Sequence, residues 1–240
     1  MAEFRNSVSF KVYGRHALFS DPLTRAGGEK NTYQLPTGQA LKGILESVYW
    51  KPTLIWQIDK VRIMKPIKTR SKGIRPINLS GGNDLSIYTY LEEVDYQVQA
   101  HFVWNMHRPE LADDRNEHKH HNIAKRMIQK GGRRDIFLGT RECQGYVEPC
   151  TFGEGEGAYD DIPELAFGLM FHGFSYPDES GEPVLRARFW EPKMCHGVVE
   201  FPPPEECTIL RDVKGYSMKQ FVPGKNFTPC DSLLAEEDCL

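Results

Sequence analysis

The stretch YTYLEEVDYQVQAHFVW, residues 88–104, alternates polar and apolar side chains over most of its length. Alternation with period two is typical of a strand that buries one face, so this stretch predicts a long β-strand. On either side of this stretch, the spacing of apolar residues alternates between the period of two that predicts a strand and the period of 3.6 that predicts a helix. The other predicted strands cover residues 7–12, 53–67 and 135–147, and the predicted helices cover residues 37–49 and 115–130.

The ends of the two predicted helices carry separate signals. Thr37 is a suitable N-cap for the first helix, and Pro52 stops that helix. Gly131 and Gly132 end the second helix. The resulting order, β-α-β-β-α-β, predicts a ferredoxin-like domain, an architecture shared with RNA-recognition motifs. Its antiparallel sheet would leave one face open for RNA or for a second domain.

The composition changes after residue 148. Residues 151–163 are rich in glycine and acidic residues and predict a linker or an exposed loop. Residues 165–176 and 184–190 predict a pair of strands joined by a turn-rich segment, and residues 197–201 predict a third strand. The chain is therefore predicted to be α+β with two domains, a ferredoxin-like domain over residues 1–149 and a small antiparallel β-sheet domain with an irregular tail over residues 150–240.

Charge is segregated along the chain, although the net charge is only −3. Residues 42–75 hold nine basic and two acidic side chains, and residues 115–141 hold eight and two. Residues 148–182 hold nine acidic side chains and no Lys or Arg. Clustered positive charge is typical of proteins that bind a phosphate backbone, although a solvated surface can cluster by chance. The candidate RNA contacts in the first cluster are Lys68, Arg70, Lys72 and Arg75.

Composition excludes several other classes of protein. No apolar run approaches the roughly 20 residues of a membrane-spanning helix. Residues 1–9 lack the apolar core of a signal peptide, so we expect a cytoplasmic protein. The six cysteines are scattered and form no Cys-x-x-Cys pair, which predicts free thiols rather than a zinc site.

Two places in the chain could supply acid–base chemistry. The first is Tyr49 at the end of the first helix, although a tyrosine there is commonly a packing residue. The second is the run EHKHH, residues 117–121, at the start of the second helix. This run could bind a metal ion, because residues three or four apart share a helix face. It could also be catalytic, with a histidine that titrates near neutral pH and a lysine that stabilises phosphate charge, or it could be a solvated helix start.

RNA cleavage without a metal has simple requirements. The 2′-OH must lose its proton to attack the adjacent phosphate, the transition state needs positive charge beside it, and the leaving 5′-oxygen needs a proton. A tyrosine, a lysine and a histidine can supply all three. The glycine pair followed by Arg133 and Arg134 could hold a phosphate through backbone N–H groups and guanidinium groups, and it could equally be a helix C-cap with a basic loop.

Several long strings of residues resemble one family. They are ALFSDPLTRAGGEK (17–30), QALKGILESVYWKPT (39–53), MKPIKTRSKGIRP (64–76), HRPELADDRNEHKHH (107–121), GGRRDIFLGTRECQGYVEP (131–149) and HGFSYPDE (172–179). They resemble the subtype I-C (Dvulg) branch of the fifth CRISPR-associated protein family, which belongs to the RAMP superfamily. The resemblance spans roughly residues 7–212.

The resemblance implies a fold and an activity. The fold would be a ferredoxin-like domain followed by a small β-sheet domain. The activity would be cleavage of CRISPR precursor RNA at the 3′ base of the repeat hairpin, without a metal ion or other cofactor. The protein would then stay on the 5′ handle of the guide, in contact with the backbone and large subunits of the Cascade complex. The catalytic set of the family would fall on Tyr49, Lys119 and His120.

Three alternatives remain open at this point. His118 and His121 flank the predicted histidine, and either could take its place. A subunit that binds RNA without cutting it would use the basic segments equally well. A metal-dependent nuclease would use the histidine cluster differently, and activity in EDTA distinguishes it from the metal-free enzyme.

Overall fold

A computed structural model describes residues 6–25, 28–76, 81–82 and 84–215 of the 240-residue chain. Among these residues antiparallel sheet predominates over a few helices, which confirms the predicted α+β class. The strands are β1 (Val8–Ala17), β2 (Leu54–Ile63), β3 (Thr69–Ile74), β4 (Ser86–Trp104), β5 (Ile136–Phe137), β6 (Gln144–Pro149), β7 (Leu165–Ala166), β8 (Met170–Ser175), β9 (Val184–Trp190), β10 (Lys193–Cys195), β11 (Val198–Glu200) and β12 (Ile209–Gly215). The helices are α1 (Pro22–Arg25), α2 (Gly38–Val48), α3 (Glu117–Gln129) and α4 (Pro177–Ser180), with 3-10 turns at Pro109–Asp114 and Pro204–Glu206.

The long strand β4 organises the larger sheet. This sheet has nine strands in the order β5-β6-β1-β4-β2-β11-β10-β7, and β3 pairs with the first residues of β4. The 19 residues of β4 reach β3, β1 and β2 in turn, so one strand connects three neighbours. The predicted helices and strands of the first 149 residues are present, with the predicted region 135–147 divided into β5 and β6 and with β3 added. No strand is predicted at β3, which forms because the start of β4 offers it a free edge.

The apolar faces of the strands and of the two long helices meet in one core. Phe10 and Val12 of β1 are fully buried, as are Val98 and Ala100 on the facing strand β4. Helix α2 contacts β2, and helix α3 contacts β1 and β6. The alternation that predicted the strands is thus the alternation between this core and the opposite face of the sheet.

One helix start and one helix end follow the chemistry that the sequence suggested. The Thr37 side chain accepts a hydrogen bond from the Ala40 N–H at 3.2 Å, which confirms the predicted N-cap of α2. Gly131 and Gly132 both have positive φ, and their N–H groups bond to carbonyls in the last turn of α3. Helix α2 stops at Val48, before the predicted stop at Pro52, because the Tyr49 backbone is already extended.

The second part of the chain contributes to two sheets. Strands β12, β9 and β8 form a separate three-stranded antiparallel sheet. Strands β7, β10 and β11 instead extend the larger sheet, because β11 pairs with β2. The predicted strand at residues 197–201 is present, but it pairs with the first part of the chain. The division at residue 149 remains a prediction, and residues 216–240, which include the predicted irregular tail, lie outside the described residues.

The acidic segment 151–163, predicted as a linker or exposed loop, is held against the larger sheet. Arg62 on β2 is 6% exposed and donates to both carboxylate oxygens of Asp160 and to the carbonyls of Glu154 and Gly155. A buried guanidinium requires such partners, and the turns of this segment supply them. None of the helices in the described residues is long and apolar enough to cross a membrane.

Candidate active site

Tyr49 lies where helix α2 gives way to extended chain. Its backbone leaves the helix at φ −157° and ψ 124°, and the Trp56 indole N–H donates to its carbonyl at 2.8 Å. Its side chain is almost fully buried, with its hydroxyl 2.7 Å from Nδ1 of His120. Two predicted residues that are 71 positions apart are therefore in direct contact.

His120 is completely buried in the first turns of α3. Its Nε2 lies 2.7 Å from the backbone oxygen of Asp114, and its ring meets the edges or faces of Phe102 and Trp104. Because a carbonyl oxygen only accepts, Nε2 carries the hydrogen of the neutral ring. Nδ1 is then the acceptor, and the Tyr49 hydroxyl donates to it.

Lys119 lies on the solvent side of this pair. Its side chain is 48% exposed, and its Nζ is 2.5 Å from Oδ1 of Asp114. Oδ2 of the same carboxylate accepts from the Thr53 hydroxyl at 2.8 Å and lies 3.5 Å from Nε2 of His120. The hydrogen bonds from Lys119 and then Thr53 lower the pKa of Asp114, so this carboxylate is charged near neutral pH.

The surroundings of Tyr49 disfavour a free phenolate. Burial raises the pKa of Tyr49, and the nearby Asp114 carboxylate raises it further, whereas Arg133 acts in the opposite direction. A tyrosine of this kind keeps its proton until another group removes it. The acceptor Nδ1 of His120 is positioned to take that proton at the moment when the hydroxyl oxygen gains another. The arrangement can therefore relay a proton from a bound hydroxyl to a buried imidazole.

The neighbouring histidine His121 contacts a different strand. Nε2 of His121 lies 3.0 Å from the Ser7 carbonyl, on the side of β1, and the side chain of His118 is exposed. Within the ranges that the structure describes, no group of three or more His, Cys, Asp or Glu side chains could hold a metal ion.

The two arginines after α3 lie beside the site. Arg133 and Arg134 are exposed, and the Arg134 N–H bonds to the Ser47 carbonyl at 3.1 Å, close to Tyr49. Arg133 is near enough to influence the ionisation of Tyr49. The effect of Arg133 on Tyr49 and the backbone bond of Arg134 to Ser47 place this basic segment near the end of helix α2.

The other predicted basic residues lie on or beside β3, away from this site. Arg70 forms an ion pair with Glu92 at 2.9 Å, and Nζ of Lys72 is 2.7 Å from Nε2 of His16. Lys68 and Arg75, at the two ends of the strand, are exposed. Among the described residues, no hydrogen bond or ion pair connects this group with Tyr49 or His120.

Sequence reasoning missed Asp114 and Thr53. Asp114 contacts Lys119 through its carboxylate and His120 through its backbone oxygen, and Thr53 holds the carboxylate from the other side. The sequence did point toward Asp114, because it lies six residues before the predicted histidine within residues 107–121, one of the strings that resemble the family. No sequence pattern predicts a role for Thr53, which follows Pro52.

Known proteins resemble this chain over most of its length. A curated relative from Mannheimia succiniciproducens, named CRISPR pre-crRNA endoribonuclease Cas5d, is 25% identical over 232 residues, which is 82% of this chain and 96% of the relative. A relative of the same name from Thermus thermophilus is 26% identical over 188 residues, which is 74% of this chain and 77% of the relative. A solved structure described as a CRISPR-associated protein is 35% identical with a TM-score of 0.73, over 85% of this chain and 96% of that one.

Among protein families, residues 7–202 match the model Cas_Cas5d, described as CRISPR-associated protein (Cas_Cas5). This match covers far more than half of the 240 residues and includes Tyr49, Lys119 and His120. The resemblance predicted from the sequence is confirmed, and the chain belongs to the Cas5 family of CRISPR-associated proteins, in its Cas5d branch.

Proposed function

We propose that this protein is a metal-independent endoribonuclease that binds CRISPR repeat hairpin RNA and cuts the precursor at the 3′ base of the hairpin. The observation that carries the proposal is the hydrogen bond between the Tyr49 hydroxyl and Nδ1 of His120, with the charged Lys119 next to it. The activity named for the two curated relatives supports the same reaction.

The reaction follows from the positions of the protons. The RNA 2′-OH gives its proton to the Tyr49 oxygen while the tyrosine passes its own proton to Nδ1 of His120. The 2′-oxygen forms a bond to phosphorus and the bond from phosphorus to the 5′-oxygen breaks, which leaves a 2′,3′-cyclic phosphate. The leaving 5′-oxygen takes a proton from Lys119, whose ammonium also stabilises the charge on the phosphate together with Arg133. DNA lacks the 2′-OH and cannot follow this path.

Access to the reacting groups requires movement at the surface. His120 is fully buried and Tyr49 is 3% exposed, whereas Lys119 is open to solvent. RNA would first meet Lys119, Arg133 and Arg134. The 3-10 turn Pro109–Asp114 contains no buried residue, so a shift of its residues ahead of Asp114 would let the phosphate reach the Tyr49 hydroxyl while Asp114 keeps its contacts.

The finer architecture belongs to the same proposal. In the first 149 residues, β6-β1-β4-β2 are adjacent in that order, with α2 between β1 and β2 and α3 between β4 and β6. We assign this unit as the ferredoxin-like domain, and the strands after residue 149 as the smaller β-sheet part. The basic residues of β3 would contact RNA away from the cut site, and after cleavage the protein would remain on the 5′ handle as a cytoplasmic Cascade subunit.

The test uses purified protein and end-labelled repeat RNA in EDTA, with a parallel substrate that carries one 2′-deoxy at the cut site. We expect cleavage that the deoxy substitution blocks. Lys119→Ala and His120→Ala should each lower the single-turnover rate by about 10²- to 10⁴-fold while RNA still binds. Cleavage by both variants at the wild-type rate would contradict the assignment, and activity that appears only with added divalent metal would favour a metal-dependent nuclease.

A second candidate function is a subunit that holds RNA without cutting it. The complete burial of His120 favours this alternative, because a structural histidine with both nitrogens bonded would look the same. Tight binding of every repeat hairpin tested, without cleavage in EDTA or in metal, would identify the protein as such a subunit.

A further inference from the structure

We propose that Asp114 is a positioning residue, which orients His120 and Lys119 for the reaction and is itself held by Thr53; this inference rests on the proposed ribonuclease function. Asp114 contacts the side chains of both Lys119 and His120, the first through its carboxylate and the second through its backbone oxygen. It ends the 3-10 turn Pro109–Asp114 and is not itself a candidate to touch the reacting phosphate.

The backbone of Asp114 fixes the histidine ring. Its carbonyl oxygen accepts from the Asn116 N–H at 2.8 Å and lies 2.7 Å from Nε2 of His120, so both lone pairs are used. Asn116 is also the N-cap of α3, with its side chain oxygen 3.0 Å from the Lys119 N–H. The 3-10 turn Pro109–Asp114 and the first turn of α3 are therefore linked by hydrogen bonds beside the imidazole of His120, which must accept a proton.

The side chain of Asp114 controls charge at the same place. When Nδ1 of His120 receives the Tyr49 proton, a cation forms in a pocket walled by Phe102 and Trp104. A buried cation is costly unless an opposite charge lies near it. The Asp114 carboxylate supplies that charge 3.5 Å from Nε2, and it also separates the ring from the positive Lys119. The positive charge of Arg133 acts on Tyr49, in the direction that lowers the pKa of its hydroxyl.

Thr53 makes this carboxylate a fixed group rather than a mobile one. Its side chain is 1% exposed, and its hydroxyl donates to Oδ2 while Lys119 binds Oδ1. With both oxygens held, the carboxylate cannot rotate away from the ring. Such double support is what distinguishes a positioned carboxylate from a surface ion pair, which holds its geometry weakly.

The test compares Asp114→Asn with Asp113→Asn, its exposed neighbour, which makes no ion pair among the described residues. We expect Asp114→Asn to lower the single-turnover cleavage rate at saturating RNA by about 10²-fold or more. RNA affinity should stay equal or rise, because a negative charge beside Lys119 is removed. The rising limb of the rate against pH should move to lower pH, because the protonated ring loses its counter-charge. Asp113→Asn should match the wild type in all three measurements.

Thr53→Val keeps the carboxylate and removes one of its supports, and we expect a loss of about 10-fold in rate without loss of affinity. This variant decides the matter if Asp114→Asn does not fold. A wild-type rate in Asp114→Asn or, failing that, in Thr53→Val overturns the inference, and so does a rate loss with an unchanged pH profile. If the wild-type protein itself does not cut RNA, the proposed function fails first, before either variant is compared.

Discussion

Replacing Tyr49 with phenylalanine removes one oxygen atom and leaves the ring in the core. The lost hydroxyl is the hydrogen-bond donor to Nδ1 of His120, a ring that is 0% exposed. A buried acceptor without a donor costs about 1–3 kcal/mol of unfolding free energy. For a protein of this length, that loss lowers Tm by about 2–12 °C. In the proposed mechanism the same oxygen begins the proton relay, so cleavage should fall by about 10²- to 10⁴-fold, which corresponds to roughly 3–5 kcal/mol of activation free energy.

The assay pairs thermal unfolding with single-turnover cleavage of repeat RNA in EDTA, and a binding measurement shows that RNA is still held. The matched control is Tyr13→Phe, because the Tyr13 hydroxyl donates to Glu148 at 2.6 Å on the surface, far from the site. Its stability should change by less than about 0.5 kcal/mol and its cleavage rate should not change. A Tyr49→Phe protein that cuts within about threefold of the wild-type rate would refute the relay.

Three further predictions concern other parts of the molecule. Burial lowers the pKa of His172 to about 4, and Arg188 acts in the same direction, so the unfolded chain binds a proton at this side chain more readily than the folded protein does. On the order of 3 kcal/mol of unfolding free energy should therefore be lost as pH falls from about 6.5 toward 4. Urea unfolding measures this loss, and His172→Gln should reduce its dependence on pH. Asp160→Ala leaves the buried Arg62 without its carboxylate and should cost about 3–5 kcal/mol in the same experiment, whereas full stability would show that the carbonyls alone suffice. Trp50, next to Tyr49, is 48% exposed, so the Trp50→Ala variant should keep the wild-type Tm. If the indole stacks on a base, the variant should bind RNA about 5- to 150-fold more weakly, and Trp50→Phe is the conservative comparison.

Local patterns predicted most of the larger sheet and both long helices. The alternation of residues 88–104 corresponds to β4, and Thr37 caps α2 as expected. Pairing partners were harder to predict, because they depend on which edges are free in three dimensions. Strand β11 was predicted as a third strand of the smaller sheet, yet it extends the larger sheet beside β2. Strand β3 forms because the start of β4 extends beyond β1.

The candidate site was predictable in its residues but not in its geometry. The family-like strings selected Tyr49, Lys119 and His120, and the structure brings these three together around one carboxylate. Asp114 lies in the same string as the predicted histidine, but no pattern predicts its contact with the ring, because a backbone oxygen that every residue carries makes that contact. The burial of His120 was also unpredictable, since it depends on Phe102 and Trp104 from a different part of the chain.

The pairing of β11 with β2 has a consequence for synthesis of the chain. Val198 pairs with Arg62, which lies 136 positions earlier in the sequence. At the usual speed of a ribosome, β2 emerges about 7–27 s before the strand that covers its outer edge. Throughout that interval the nascent protein carries an open strand edge, the feature through which neighbouring chains on a polysome pair and aggregate. Lys60 and Arg62 lie on this strand, and charged side chains on an exposed edge strand disfavour its pairing with another copy.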